Sequence, residues 1–203
     1  KEHLVTIFSG TEITNDVIPK INNFLNLFRY IKNQFDLKTY HDALFTLSKN
    51  LNLAITKKDV LIAFFKVIKE YINFDCAIFT SLNSSEHIIE KILSEDTNIV
   101  AYEGKQIDID NSIINLVLKN KHYLPTNGKF DFEKNVLLSD KSLFENYKSL
   151  ISFPIMEQEN AIGTISLLSK DFGKYDEQVI SILKVMFNML DISLYLLSVS
   201  GKL

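Results

Sequence analysis

The sequence predicts an α+β domain, an antiparallel sheet whose long helices come before and after the strands. Three observations carry this. Helical periodicity fills residues 16–71 and returns in a long final segment from Tyr175 to Ser198. The strand-like segments between them are joined by polar turns such as Asn83-Ser84-Ser85. The last two strands, within Ser152-Phe-Pro-Ile-Met-Glu-Gln-Glu-Asn-Ala-Ile-Gly-Thr-Ile-Ser-Leu-Leu168, form a hairpin whose second strand is apolar on both faces. A sheet with one wet face alternates cleanly, so both faces here must be covered.

The elements follow in order. Residues 1–15 are ambiguous, with Leu4 to Phe8 a candidate strand. Asp16 can cap a helix that carries Pro19 in its first turn. Val17, Ile21, Phe24, Phe28, Ile31 and Phe35 then recur at steps of four and three, a short heptad seam. An amphipathic helix packed on its own domain and a dimerising helix both fit that seam. A second helix runs through Tyr40 to Leu51. A third follows Thr56, where Asp59 three positions on resembles a capping box. Phe74 to Leu82, Glu86 to Leu93 and Asn98 to Tyr102 read as an antiparallel meander. Asp110 caps a short helix from Ser112 to Lys119, His122 to Leu124 is a short strand, and Thr126 to Tyr147 is a long connection. Long connections in compact domains are often functional.

The final helix is apolar over most of its circumference. Val179, Ile182, Met186 and Met189 mark one stripe, and Leu183, Phe187, Leu190, Leu194 and Leu197 an adjacent one. Such a helix must be buried on more than one side. One side can lie on the sheet, and the other needs a helix from the N-terminal segment or from a second subunit. Lys184, Asn188 and Asp191 interrupt it, which argues against a membrane span.

Composition narrows the function classes. The 203 residues are 46% hydrophobic, as in an ordinary globular protein. A net charge of -3, with lysines scattered among acids, leaves no basic footprint for nucleic acid. Cys76 is the single cysteine, so there is no internal disulfide and no zinc cluster, and a cytoplasmic location is expected. The apolar run Leu4 to Phe8 is too short for a secretory core, and a start at Lys1 reads as a piece of a longer protein.

Four segments, in this order, resemble a GAF domain. Phe74-Asp-Cys-Ala-Ile-Phe79 looks like the first strand of that family, and Ile113 to Leu124 like its short helix and following strand. Ser149-Leu-Ile-Ser-Phe-Pro-Ile155 with Ala161-Ile-Gly-Thr-Ile-Ser-Leu-Leu168 looks like its hairpin, and Phe172-Gly-Lys-Tyr-Asp-Glu177 like the entry to its last helix. The resemblance covers about residues 39–198 and sets the domain organisation. Residues 1–38 are an N-terminal segment with a linker or dimerising helix, and 199–203 a tail. It implies an antiparallel sheet with the terminal helices on one face and a loop-walled pocket on the other. Ala161, Gly163, Ile165 and Leu167 are then expected to meet the helices, with the small Ala161 and Gly163 letting a helix approach. Ile162, Thr164, Ser166 and Leu168 are expected to meet the pocket.

The same resemblance gives a ligand-lining set: Ala77, Phe79, Tyr102, Glu103, Ile114, Tyr147, Ser149 and Ser166. Amides at the start of the short helix could take an anion. Specialised members of the family fit less well. Cyclic-nucleotide-binding members carry an Asn-Lys … Phe-x-x-x-Asp-Glu signature, and this chain has Ser169-Lys170 … Phe172 … Asp176-Glu177, with Ser for Asn. A cyclic nucleotide is therefore a minor alternative. A bilin needs a thioether cysteine near the pocket loops, whereas Cys76 lies on a strand. A haem ligand at His122 has no support from its neighbours. Free methionine sulfoxide reduction needs several cysteines for thiol exchange, and there is one. The expectation is a non-enzymatic sensory domain, homodimeric through its N- and C-terminal helices, that binds a small molecule or partner and signals to an output module outside the chain. The alternatives are a ligand-free dimerisation module and a thiol-dependent sulfoxide reductase-like enzyme.

Overall fold

The computed structural model describes residues 19, 21–27, 37–83, 86–125, 136–138, 141–157 and 159–199. Helix α1 spans Leu37–Asn52 and α2 spans Lys57–Tyr71. The start of α2 is the capping box that its sequence encodes. The Asp59 N–H donates to Thr56 Oγ1 at 3.2 Å and the Thr56 N–H donates to Asp59 Oδ2 at 3.0 Å. Strands β1 (Cys76–Asn83), β2 (Glu86–Ser94), β3 (Gln106–Ile107), β4 (Ser149–Glu157) and β5 (Asn160–Ser169) form one antiparallel sheet in the order β3-β2-β1-β5-β4. Helix α3 (Thr97–Val100) follows β2, α4 (Ile113–Asn120) follows β3, and α5 (Glu177–Val199) ends the described chain.

The third strand differs from its expected place. Residues 98–102 are not extended. The Asp96 carboxylate accepts the Asn98 N–H at 2.9 Å and starts α3, whose Ile99 is then buried. A local cap thus overrides the β-branched character of Ile99 and Val100. The edge of the sheet is the two-residue β3, paired with His87 and Ile88.

The sheet separates two cores. On one face α1, α2 and α5 pack on Ala77, Phe79, Ile151, Phe153, Ile165 and Leu167. The sheet and helices α1 and α2 of this chain therefore take in residues of both apolar stripes of α5, with Val179 and Met189 half-buried. Phe24 and Leu27, in the helical stretch 21–27, add to this layer. Of the expected seam, Ile21 and Phe24 are in this stretch, and Val17, Phe28, Ile31 and Phe35 lie outside the described residues. By length and composition α5 could cross a membrane, but ten of its side chains are buried inside the domain, as in a core helix.

Gly163 is small for a reason other than helix packing. A Cβ there would lie 2.2 Å from the Thr80 carbonyl oxygen, so the close approach is to strand β1. Ile162 packs toward the helix layer and not toward the opposite face. A register shift between Ile155 and Met156 breaks the two-residue alternation at this end of the hairpin. The Met156 N–H at that register shift donates to Asp191 Oδ1 of α5 at 3.0 Å.

Candidate functional site

The second face of the sheet is where the loops converge. Its floor is Cys76 and Ile78 of β1, Ile89 and Ile92 of β2, Leu150 of β4 and Leu168 of β5. Ile99 of α3, Ile114 and Val117 of α4, and Leu137, Phe144 and Tyr147 from the connection after α4 close over it. Four hydroxyls on this face are fully buried, and they satisfy one another. Thr80 Oγ1 and Thr164 Oγ1 are 2.8 Å apart, and Ser166 donates to Ser152 Oγ at 2.8 Å. The expected need of Thr164 and Ser166 for a ligand is met across the strands instead.

Tyr147 is different. Its hydroxyl is buried beside the Cys76 thiol and Ser94 and has no hydrogen bond of normal geometry. Burial raises its pKa and keeps it a neutral donor. Burial likewise pushes the Cys76 thiol up to about 12, so the thiolate is scarce at neutral pH and the sulfur is a poor nucleophile. The second face is thus a closely packed apolar core in which the Tyr147 hydroxyl and the Cys76 thiol lie side by side.

The start of α4 offers less than expected. The Ser112 hydroxyl accepts the Asn115 N–H at 3.2 Å, and the Ile113 N–H donates to the Val136 carbonyl at 2.9 Å. Protein groups therefore occupy two of the amides proposed for an anion, and the second bond fixes part of the connection onto the helix.

The structure brings Ile114, Tyr147 and Ser166 together on this face, with Tyr102 packed at its margin under the Lys105 ammonium, 4.2 Å from the ring centre. Ala77 and Phe79 are on the opposite face, in the helix-side core. Their neighbours Cys76 and Ile78 take the places expected of them, because a shift of one residue turns every side chain over. Glu103 is at the surface, where it accepts from Lys91 Nζ at 2.8 Å and from the Ile92 N–H at 3.1 Å. That ammonium holds its carboxyl below the usual range. Ser149 donates to the Asp171 carbonyl at 2.7 Å and accepts the Lys174 N–H at 3.2 Å, so it ties the start of β4 to the loop before α5.

The segment after α4 has a role that residue patterns did not reveal. The Leu124 N–H donates to the Ser152 carbonyl at 2.9 Å, and the Ser152 N–H donates back at 2.8 Å, which adds a short bridge to the edge of β4. Leu124 packs into the second-face core, while the adjacent Tyr123 packs on the helix side. The Tyr123 ring lies 5.0 Å from Phe153, Phe153 lies 4.2 Å from Phe187, and Phe187 lies 4.9 Å from Phe64. Lys184 of α5 sits 4.7 Å over the Tyr123 ring.

This architecture is the GAF-domain fold. The GAF domain of a two-component sensor histidine kinase from Bacillus halodurans is similar at a TM-score of 0.58 and 17% identity, over 73% of this chain and 99% of that one. The GAF domain of an Acinetobacter phosphoenolpyruvate-protein phosphotransferase gives 0.63 at 13% identity, over 81% and 95%. The free methionine-R-sulfoxide reductase of Neisseria meningitidis, solved with its substrate, gives 0.63 at 13% identity, over 79% and 91%. No family model and no curated protein sequence matches the chain.

Proposed function

We propose that this GAF-fold chain is a non-enzymatic regulatory domain of the cytoplasm. A small molecule or partner engages the second face, and occupancy passes through α5 to an output module outside the chain. The observation that carries this reading is the straddling pair Tyr123 and Leu124. Leu124 belongs to the second-face core, and one peptide bond away Tyr123 stacks into the aromatic row that runs through Phe153 to Phe187 of α5. A shift of α4 or its following connection has to move both side chains. This gives two faces one mechanical link, which a two-state response requires.

The Tyr147 hydroxyl, buried with only the Cys76 thiol and Ser94 beside it and no hydrogen bond of normal geometry, supports a polar contact to a ligand on this face, and the protonated, buried Cys76 supports recognition over thiol chemistry. Phe45, Leu53 and Ile55 are exposed around α1 and its C-terminal turn and offer apolar surface for a second copy of the chain. The similarity in fold to free methionine-R-sulfoxide reductases makes that reaction the enzyme alternative.

Native mass spectrometry of the chain purified from its natural host tests this reading, alongside a turnover assay with free methionine sulfoxide and a thiol reductant. A defined small mass released on denaturation, reduced in Tyr147→Phe, together with no turnover, is the expected result. Turnover that Cys76→Ser abolishes would replace the regulatory reading with the enzyme.

A further inference from the structure

A second feature lies across the sheet from Tyr147. Helix α2 has two apolar faces. Val60, Phe64, Val67 and Ile68 are buried in the helix layer. Half-buried Leu61 and exposed Ile62, with Phe65 buried beneath them in the same core, form another stripe at helical spacing, and this stripe lines a groove of about 810 Å³ between α2 and the β1–β2 half of the sheet. Phe79 and Leu93 supply the sheet side of its floor. Ile62 is 56% exposed, which is costly for an isoleucine with nothing on it.

The rim is cationic. Lys57, Lys58, Lys66 and Lys69 of α2 and Lys91 of β2 surround the floor, against Glu90 and Glu103. Both glutamates are engaged, Glu90 by the Ser81 hydroxyl and Glu103 by Lys91. The four α2 lysines have no ion pair among the described residues. A chain of net charge -3 thus gathers five lysines about one apolar trough. Lysines that look scattered in the sequence meet here because positions 57, 58, 66 and 69 share one side of a helix.

We propose that this groove binds a single-chain anionic amphiphile, a medium-length fatty acid, with its chain along Leu61, Ile62 and Phe65 and its carboxylate among the lysines. The volume lies within the roughly 300–1,000 Å³ of pockets that hold small ligands. The α2 lysines span about 18 Å at 1.5 Å rise per residue, so a bound chain has apolar contact along its length and an ammonium at either end. Unpaired lysines reward an anionic head and repel a cationic one, and the apolar floor excludes a purely polar anion. Phe79 and Glu103, expected from the sequence in a pocket on the other face, are found lining this groove instead. The groove and the second-face core are on opposite faces of the sheet, so the two assignments stand or fall separately.

Calorimetric titration of the full chain with dodecanoate below its micelle concentration tests the assignment, with dodecyltrimethylammonium as the cationic arm. Saturable one-site binding of dodecanoate alone is expected. The combined Lys57→Gln, Lys58→Gln, Lys66→Gln and Lys69→Gln variant should bind at least about tenfold more weakly, each exposed charge contributing some tenths of a kcal/mol. Ile62→Asp should lose binding, while Phe45→Asp, at an exposed site on α1 away from the groove lining, should keep it. All these side chains are exposed except half-buried Lys57, so circular dichroism should show every variant folded. Non-saturating uptake, equal affinity in the lysine variant or for the cationic surfactant, or full affinity in Ile62→Asp would overturn it. So would loss of self-association in Ile62→Asp with no dodecanoate binding to the parent chain, which would give the groove to a second copy.

Discussion

Gly163→Ala is expected to destabilise the domain by roughly 3 kcal/mol or more, at the upper end of what overpacking does. The added Cβ would stand 2.2 Å from the Thr80 carbonyl oxygen and 3.2 Å from Ser81 Cα, so it meets main chain and no side chain can swing aside. Strand β1 is paired on both edges, by β2 and by β5, and cannot retreat without breaking a ladder. The adjacent Thr80–Thr164 hydroxyl contact at 2.8 Å would stretch as the strands part, leaving two buried hydroxyls unpaired. Urea unfolding checks this through the midpoint. A loss under about 1 kcal/mol would mean that the sheet is more pliant than its two-sided pairing implies.

Phe187→Ala is expected to cost roughly 3–5 kcal/mol, the range for emptying an aromatic site in a packed core. Phe187 stacks on Phe153 of β4 with ring planes 5° apart, and meets Phe64 of α2 edge to face at 71°. One side chain therefore joins the sheet, α5 and α2, and three elements must collapse together to fill the void. Thermal unfolding of Phe187→Ala against Phe187→Leu separates volume from ring geometry. The leucine variant should recover much of the loss, and the shortfall measures the aromatic pairing at about 0.5–1.5 kcal/mol per pair.

Much of this fold is readable where local chemistry and packing agree. Thr56 and Asp59 encode their capping box, and the apolar circumference of α5 announces burial on two sides. Reading fails where two signals compete or where no signal exists. Asp96 caps a helix inside what the β-branched residues suggest is a strand. Cys76-Ala-Ile-Phe79 is apolar on both faces, so its alternation gives a period without a direction. The direction is set by pairing, which places Ile78 opposite Ser166 and Phe79 opposite Ile165. The small size of Gly163 is visible in the sequence, but the partner that demands it, a carbonyl 83 positions earlier, is not. Likewise the lysine rim takes four residues from α2 and a fifth from β2, an assembly that exists only after folding.

The central claim is that the second face and α5 move as one unit through Tyr123 and Leu124. Amide hydrogen exchange along α5 tests it directly, measured in the parent chain, in Val117→Ala, and in Val117→Ala combined with Tyr123→Ala. Val117 is fully buried in the second-face core, so its truncation loosens that face without touching α5. Coupling predicts faster exchange around Lys184 and Phe187 than the change in α1 accounts for, and predicts that this excess disappears once the Tyr123 ring is removed. An α5 that exchanges no faster than α1 in Val117→Ala, or an excess that survives the loss of Tyr123, would contradict it.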